Sequence, residues 1–433
     1  MKKKGQIKGI LPLIAFLVIY MATGFITGDF ESMPLLIGMM ITLAIALLLN
    51  KDKDYKESFN QKLAIFARGA GDETIILMIF IFMLAGGFYA TAEAMGAVDS
   101  ISNLGLSILP EKMLLPGLFM ISALVSFSMG TSVGTIAALV PIAIDLSQKT
   151  QSNLALFVGI VVGGAMFGDN LSFISDTTLA ASRTQEIPMK DKFKENFLLV
   201  IPAIFINLFL LFMQKVDTTA LNSKVYDYHF IEILPYLFVI ILSIMGWNVI
   251  IVLTTGILSG MAIGLMSGHF TLIQFMGIIH EGMKGMQDIA MISLFVGGLV
   301  ALMNYLGGID WLLYRLTKNT KTKRGAEFSI AGLVSVMDIA TTNNTISIIA
   351  SGPLARDIAD EYEISRARSA SILDIFSAAF NGLLPYASQL LVAAGISGIA
   401  PVEIMFYNWY SMLMILVGLL SISFQLPKSS TTK

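Results

Sequence analysis

The sequence predicts an all-α polytopic membrane protein made of two inverted repeats of about five spans, each with a re-entrant hairpin and a broken helix. Three observations lead to this prediction. The 433 residues are 55% hydrophobic and only 13% charged, with a mean hydropathy of +0.77, which does not suit a water-facing surface of normal charge. Apolar runs of roughly 17 to 25 residues recur along the whole chain. The two halves also repeat the same order of breaks, prolines and acidic residues.

The apolar runs predict two series of spans. The first series covers residues 9–25, 33–49, 72–92, a hairpin at 113–146, a broken span at 153–182, and 196–213. The second covers residues 231–246, 247–267, 288–306, a hairpin at 327–352, a broken span at 369–395, and 401–424. We therefore divide the chain into a first transmembrane repeat, residues 1–227, and a second, inverted repeat, residues 228–433. No small-residue cleavage site follows the first run, so we expect it to be retained as a span.

The two series match position by position, which indicates an internal repeat. Gly-Ala-Val-Asp at 96–99 corresponds to Gly-Gly-Ile-Asp at 307–310, and Pro141 corresponds to Pro353. Gly-Thr-Ser-Val-Gly-Thr at 130–135 corresponds to Ala-Thr-Thr-Asn-Asn-Thr at 340–345, and Phe-Gly at 167–168 to Phe-Asn at 380–381. Each match is weak alone, but their shared order along the chain is strong evidence of duplication.

The distribution of basic residues predicts the orientation in the membrane. If each hairpin leaves the membrane on the side from which it entered, all but five of the 28 lysines and arginines lie on one side. The positive-inside rule then places both termini in the cytoplasm, in a protein of the plasma membrane. With five crossings per copy the second copy is inverted, a plan typical of secondary transporters. The five exceptions are Lys112, Lys149, Lys215, Lys224 and Lys284.

A polar stretch at 167–178, Phe-Gly-Asp-Asn-Leu-Ser-Phe-Ile-Ser-Asp-Thr-Thr, interrupts the first broken span. Residues 154–166 before it carry no charge, so we expect Asp169 near the middle of the bilayer, where an unpaired carboxylate costs about 2.5 to 3.5 kcal/mol. An ordinary loop is the alternative, but the apolar run resumes at Leu179 and the first basic residue is Arg183. The candidate ion or substrate ligands here are Asp169, Asn170, Ser172, Ser175, Asp176 and Thr177.

The tips of the two predicted hairpins are also polar. Glycines with hydroxyl or amide side chains suit such tips, because freed backbone groups in lipid need internal partners or a water-filled cavity. Their oxygens can replace the hydration shell of a hard cation, or they can serve only to hydrogen-bond packed helices. Both alternatives stay open for the first tip, and a site is favoured for the adjacent amides of the second. The candidate ligands are Thr131, Ser132, Thr135, Thr342, Asn343, Asn344 and Thr345.

We expect only negative charges at mid-membrane depth. The carboxylates are Asp169 and Asp176, with Asp338 and Asp374 as further candidates, and no lysine or arginine is expected beside them. An anionic substrate would then meet only helix dipoles and a bound cation, whereas a small cation finds ready-made ligands. A carboxyl group in apolar surroundings can hold a proton until a metal ion displaces it, and this competition would be the basis of antiport.

The Gly-Thr-Ser-Val-Gly-Thr tip with Pro141, followed by Gly168-Asp169 and Ser-Asp-Thr-Thr at 175–178, resembles the NhaC family of Na⁺/H⁺ antiporters over nearly the whole chain. The resemblance implies Na⁺(Li⁺)/H⁺ exchange without a cofactor. Asp169 and Asp176 would be the ligands of the transported Na⁺, with the hydroxyls of 172–177 beside them. Phe173 stands where that family pattern has proline. Residues 341–345 also resemble the Asn/Thr tips of related carriers, so a Na⁺- or H⁺-coupled amino acid or carboxylate transporter is the alternative.

Other classes of function are disfavoured. Residues 130–134 fit the G-x-S-x-G pattern of serine hydrolases, but that chemistry needs a base beside Ser132. The three histidines, His229, His269 and His280, all lie at predicted outer boundaries, and the absence of cysteine excludes thiol chemistry. A fixed channel or structural protein fits broken, inverted helices less well than alternating access does. The basic run 318–324 is expected to be a cytoplasmic loop rather than a nucleic-acid patch.

Glycines at 256, 260, 264 and 268 repeat every four residues on one helical face. Such a face lets helices approach closely. It therefore predicts tight packing within the subunit, or alternatively across a homodimer. The remaining partners that we expect are the lipid bilayer and the transported small cation.

Overall fold

The computed structural model describes residues 5–27, 32–50, 58–172, 175–216, 227–245, 247–311 and 322–426. Within these ranges the chain is helical and contains no strand, which confirms the predicted all-α class. The helix is expected in hydrocarbon because it satisfies every backbone polar group internally. Phe173 and the first residues of the basic run 318–324 lie outside the described ranges.

The helices of the first half include every predicted span. In both halves together, six helical segments of the described residues are long and apolar enough to cross a membrane by length and composition, and four of them lie in the first half. The helices of this half are α1 (Leu11–Thr27), α2 (Leu35–Leu48), α3 (Phe59–Ala70), α4 (Glu73–Ala94), α5 (Ala97–Ile108), α6 (Leu114–Met129), α7 (Ser132–Lys149), α8 (Leu154–Leu171), α9 (Asp176–Thr184) and α10 (Met189–Met213).

The second half follows the same order of long and broken helices. Its helices are α11 (Phe230–Ile244), α12 (Val249–Met266), α13 (Leu272–Lys284), α14 (Gln287–Tyr305), α15 (Lys323–Thr341), α16 (Asn344–Glu361), α17 (Arg366–Asn381), α18 (Ser388–Ser397), α19 (Pro401–Tyr407) and α20 (Trp409–Phe424). The relative orientation of the two halves in the membrane stays a prediction.

Both hairpins break at the predicted tips. Between α6 and α7, Gly130 adopts a left-handed backbone with φ of 68°. Between α15 and α16 the equivalent turn is made by Thr342, with φ of 55°. Glycine adopts this conformation freely, whereas a β-branched residue does so at a cost. The second tip is therefore a strained turn, and strained backbone clusters at functional sites.

The last predicted span, 401–424, is not continuous, and this expectation was wrong. α19 and α20 are separated at Asn408, and α18 and α19 meet at an angle of 109°. The Asn408 side chain accepts a hydrogen bond from Ser411 N at 3.3 Å and donates one to the carbonyl of Gly382 at 2.7 Å. It therefore caps α20 and holds the turn after α17. A single asparagine in an apolar run was the only sequence signal of this break.

Two short helices that the hydropathy pattern missed bring the halves together. α3 and α13 each begin with a capping box, Ser58 with Gln61 and Thr271 with Gln274. α3 packs on α14 of the second half, and α13 packs on α4 of the first. The halves therefore interlock rather than forming separate globules.

The glycine face of α12 is used inside the subunit. A side chain at position 256 would collide with the Phe88 ring, and one at 260 with Thr91, both on α4. A side chain at 264 would collide with Phe270. Gly256, Gly260 and Gly264 are buried, so packing within the fold accounts for most of the predicted face.

Candidate ion-binding site

The centre of the site is the carboxylate of Asp169, which is 5% exposed in the last turn of α8. Its Oδ1 accepts a hydrogen bond from Ser175 Oγ at 2.5 Å, and its Oδ2 accepts one from Ser132 Oγ at 3.2 Å. The Thr177 hydroxyl lies 2.8 Å from Ser175 Oγ. Ser132, Ser175 and Thr177, all predicted from the sequence, therefore lie around the buried carboxylate of Asp169.

The break between α8 and α9 produces this arrangement. Ser172 caps the end of α8, and Ser175 caps the start of α9 by accepting a hydrogen bond from Thr177 N at 3.3 Å. Serine is favoured at the start of a helix, as at Ser175, because its hydroxyl satisfies a free backbone N–H. The same Ser175 hydroxyl also donates a hydrogen bond to Asp169. The residue that caps the start of α9 is therefore also a partner of the carboxylate at the end of α8.

No basic side chain of the described residues forms a direct ion pair with Asp169, and the buried charges of Lys192 and Asp374 act on its carboxylate from farther away. In the described ranges, no lysine, arginine or histidine nitrogen lies within 4.0 Å of it. Its direct partners are neutral hydroxyls, and a hydroxyl can either donate its proton or present its lone pairs. The cluster is therefore suited to hold a proton or a small hard cation in turn.

Gln389, at the start of α18, joins the two hairpin tips and was missed by the sequence analysis. Its Nε2 donates to Ser132 Oγ of the first tip at 3.3 Å and to Asn344 Oδ1 of the second tip at 3.4 Å. The repeat could have revealed it. Extending the match of Phe167 with Phe380 places Ser-Gln at 388–389 opposite Ser-Asp at 175–176. The partners of Ser132 are thus Asp169 and Gln389, and neither is the histidine that a hydrolase would need.

The remaining predicted tip residues mainly hold the backbone. Thr135 Oγ1 donates to the carbonyl of Thr131 in its own helix at 3.0 Å, and Thr342 Oγ1 donates to the carbonyl of Thr341 at 2.7 Å. Asn343 caps α16 by accepting a hydrogen bond from Ile346 N at 3.0 Å. Thr131 and Thr345 are half-buried. Of the candidates in the second tip, Asn344 is the one that contacts Gln389 and is thereby connected to Ser132 of the first tip.

Two further candidates of the polar stretch are Asp176 and Asn170. Asp176 is exposed in the first turn of α9, whereas Asp169 is buried, so the place of Asp176 among the mid-membrane carboxylates stays a prediction. The residue points outward because the α9 start directs Ser175 and Thr177, on either side of it, to the interior. The Asn170 amide donates to the Tyr410 hydroxyl at 3.1 Å, and its backbone carbonyl accepts from Lys192 and Asn196.

A buried lysine lies close to this site, contrary to the expectation that none would. Lys192 is 1% exposed, and its Nζ lies 2.7 Å from Asp374 Oδ2 and 3.0 Å from the carbonyl of Asn170. Thr178 Oγ1 accepts a third hydrogen bond at 2.7 Å. α10 begins only three residues earlier, but the long aliphatic stem of lysine carries the charge inward. The sequence placed this residue in a cytoplasmic loop because charge counting does not show where a side chain points.

Sequence comparisons relate the chain to known antiporters. The profile described as the Na⁺/H⁺ antiporter family matches residues 5–213 and 165–424. The Malate-2H(+)/Na(+)-lactate antiporter of Bacillus subtilis (strain 168) is 22% identical over 95% of this chain and 94% of its own length. The Na(+)/H(+) antiporter NhaC of the same organism is 25% identical over 80% and 84%. The arginine/ornithine antiporter ArcD of Halobacterium salinarum (strain ATCC 700922 / JCM 11081 / NRC-1) is 21% identical over 94% and 89%.

Proposed function

Because the chain belongs to the Na⁺/H⁺ antiporter family, we propose that this multi-pass membrane protein exchanges Na⁺ or Li⁺ for H⁺ across the plasma membrane. The observation that carries the proposal is the buried carboxylate of Asp169, which is held by the hydroxyls of Ser132 and Ser175 and lacks a basic partner. An ionised carboxylate in such surroundings is costly unless a proton or cation neutralises it.

The exchange follows from competition for one carboxylate. When Asp169 binds Na⁺, its two oxygens and the hydroxyl oxygens of Ser132, Ser175 and Thr177 supply a hard-ligand set. Binding the metal requires the deprotonated carboxylate, so Na⁺ entry releases the proton and protonation releases Na⁺. Asp176, exposed at the start of α9, is the second proposed carboxylate and would receive the ion from the water-facing side.

The site lies where the proposed repeats meet, which supports alternating access. Ser132 belongs to the first tip and Asn344 to the second, and Gln389 binds both. Exchange of a proton for Na⁺ at Asp169 therefore affects hydrogen bonds in both halves of the chain, residues 1–227 and 228–433. Rocking of one repeat against the other about such a junction is the motion that inverted repeats support.

The ion pairs support the proposed grouping of residues on two sides of the membrane, which the positive-inside rule orients with both termini in the cytoplasm. Glu186 binds Arg356 and Arg366, and the sequence assigns all three to the cytoplasmic side. Lys149 binds Asp99, and both are assigned to the outer side. Two single-cysteine variants, Lys190→Cys and Glu111→Cys, test this orientation, because the natural chain has no cysteine. A membrane-impermeant maleimide added to intact cells should label the cysteine at position 111 and not the one at position 190. Labelling at position 190 would show that the proposed orientation is wrong.

The exchange itself is tested in proteoliposomes that contain a pH dye. Under an imposed pH gradient, addition of Na⁺ or Li⁺ should move protons through the wild-type protein and not through Asp169→Asn. Glu281→Gln is the matched control, because it removes an exposed carboxylate that pairs only with Lys284 nearby. Proton movement that persists in Asp169→Asn would remove this residue from the mechanism, and proton movement with neither ion would reject antiport.

A Na⁺- or H⁺-coupled carrier of an amino acid or carboxylate is the second candidate. The observation that favours it is the similarity of the chain to antiporters that are named for malate and lactate and for arginine and ornithine. Against it, the charge of Lys192 is already matched by Asp374, so an anionic solute finds no free cation there. Uptake of labelled malate, lactate, arginine and ornithine in the same vesicles, driven by a Na⁺ or H⁺ gradient, decides between the two.

A further inference from the structure

A second buried carboxylate, Asp338, lies in the last turns of α15 and is fully enclosed, at 0% exposure. Its Oδ1 accepts hydrogen bonds from Ser377 Oγ at 3.0 Å and from Asn381 Nδ2 at 2.6 Å, both on α17. The Ser347 hydroxyl of α16 also lies beside the carboxylate and pairs with Thr341 Oγ1 at 2.7 Å. Three helices of the second half therefore converge on this one acid.

Two acceptor atoms of this cluster have no hydrogen-bond partner among the residues that the structure describes. They are Asp338 Oδ2 and Asn381 Oδ1, and both are buried. Buried polar atoms are almost always hydrogen-bonded, so an exception calls for a reason. Two oxygens without donors, on residues already joined by a hydrogen bond, form an incomplete coordination shell for a positively charged ligand.

The charge of Asp338 is also uncompensated, in contrast to its neighbours. Asp374, one helical turn before Ser377, has Lys192, and the buried Glu327 has Arg368 at 3.2 Å. The groups that act on Asp338 in the described chain, Ser347, Ser377 and Asn381, are all neutral. An isolated ionised carboxylate in an apolar interior is too costly to persist. Asp338 must therefore be neutralised by a proton or by a bound cation.

We propose that Asp338, Asn381, Ser377 and Ser347 form a second binding site for a monovalent cation, separate from Asp169. Its ligands are carboxylate, amide and hydroxyl oxygens, which suit a hard ion such as Na⁺. A divalent ion would leave a net positive charge among apolar helices. That the ion is Na⁺ rests on the proposed function. With this second site, each half of the chain has one cation site at a buried carboxylate that has no direct ion-pair partner among the described residues.

The second site uses different parts of the fold from the first. Asp169 is held by α7, α8 and α9, whereas Asp338 is held by α15, α16 and α17. The two are linked through the second tip, because the Ser377 hydroxyl also reaches the carbonyl of Asn344 at 3.4 Å, and the Asn344 side chain accepts from Gln389. Ion binding at one site can thus affect the other site through one chain of hydrogen bonds.

The test is the number of ²²Na⁺ ions bound per purified chain at saturating concentration. We expect two ions for the wild type, one for Asp169→Asn, one for Asp338→Asn and none for the double variant. Asn381→Ala keeps the carboxylate but removes an amide oxygen, so it should weaken binding of the second ion by about tenfold. Ser335→Ala is the control, because its hydroxyl bonds only its own helix, at the carbonyl of Ala331, one turn before Asp338.

The outcomes separate the two proposals. If Asp338→Asn binds as many ions as the wild type while Asp169→Asn loses its ion, the second site is wrong and a proton shared with Asn381 neutralises Asp338. If Asp338→Asn loses an ion and Asp169→Asn does not, the second site stands and the role of Asp169 fails. A wild type that binds no Na⁺ overturns both. Monodisperse elution of each variant shows that a lost ion is not a lost fold.

Discussion

The ammonium of Lys192 lies 2.7 Å from the carboxylate of Asp374 in a place where neither side chain reaches solvent. The pair joins α10 to α17 across the two halves. Asn196 Nδ2 also donates to the same carboxylate oxygen at 2.6 Å. A buried pair of this kind contributes little net stability compared with apolar residues, but removal of one partner strands the other charge.

We therefore expect Asp374→Asn to destabilise the protein by about 3 to 5 kcal/mol. The double variant Lys192→Met with Asp374→Leu should recover most of that loss, because no charge is left without a partner. The measurement is the unfolding temperature in detergent. Glu281→Gln, which breaks an exposed pair with Lys284, should change stability by less than about 1 kcal/mol. A double variant as unstable as the single one would contradict the argument.

The hydroxyl of Ser175 should matter for ion affinity. It lies 2.5 Å from Asp169 Oδ1, and a hydrogen bond to a charged group contributes about 1.5 to 3 kcal/mol. Ser175→Ala should therefore raise the Na⁺ concentration needed for half-maximal exchange by about tenfold or more. Ser182→Ala is matched in helix, burial and chemistry, but the Ser182 Oγ has no hydrogen-bond partner in the described part of the chain. Equal effects of the two substitutions would show that packing, and not the Asp169 contact, is responsible.

Gln389 should couple the two tips. Gln389→Leu keeps the volume but breaks the contacts with Ser132 and Asn344, so we expect slower exchange with little change in unfolding temperature. Ser397→Ala, at the other end of α18, removes a hydroxyl that bonds only the carbonyl of Ala393 and should leave the rate unchanged. Wild-type exchange rates in Gln389→Leu would mean that the bridge between the tips has no role in transport.

Two glycines of α13 should respond in opposite ways to alanine. A Cβ at position 282 would lie 2.4 Å from the carbonyl oxygen of Gly86, whereas a Cβ at position 277 meets nothing within 4 Å. Gly282→Ala should push α13 from α4 and lower the unfolding temperature. Gly277→Ala should raise stability by about 0.5 to 1 kcal/mol, because alanine is the better helix former. A loss of stability in both would point to a general intolerance of α13.

The surface ion pair of Arg366 with Asp360 should add a small contribution to stability that is lost in acid. Arg366 donates to both Asp360 oxygens at 3.0 Å, and this bonding lowers the pKa of Asp360 below its ordinary value. A group with a lowered folded-state pKa stabilises the protein above its ordinary pKa of about 4, and that contribution disappears as the pH falls through the lowered value. The unfolding temperatures of the wild type and Asp360→Asn should therefore begin to converge near pH 4 and coincide once the pH is below the lowered pKa of Asp360. A gap that persists there would rule out this pair as its cause.

The sequence by itself determined the class of fold and the family. Hydropathy and length fix where helices can cross a membrane, because hydrocarbon forces each segment to satisfy its own backbone. The breaks at 130–131, 172–175 and 342–343 were also readable, because glycine and runs of polar residues act locally on the helix in which they occur. These signals placed Asp169, Ser132, Ser175 and Thr177 in one candidate site, and the structure brings all four together.

Only the tertiary structure decided which polar groups pair. Ser132 meets Gln389 across 257 residues of chain, and Asn196 meets Asp374 across 178. The inward path of the Lys192 side chain, the outward direction of Asp176, and the isolation of Asp338 all depend on how distant helices pack. Hydropathy records how much a residue prefers the interior, but not which neighbour it finds there. Charge compensation is such a pairwise property, so it separates Asp169 and Asp338 from Asp374 only once the helices are assembled.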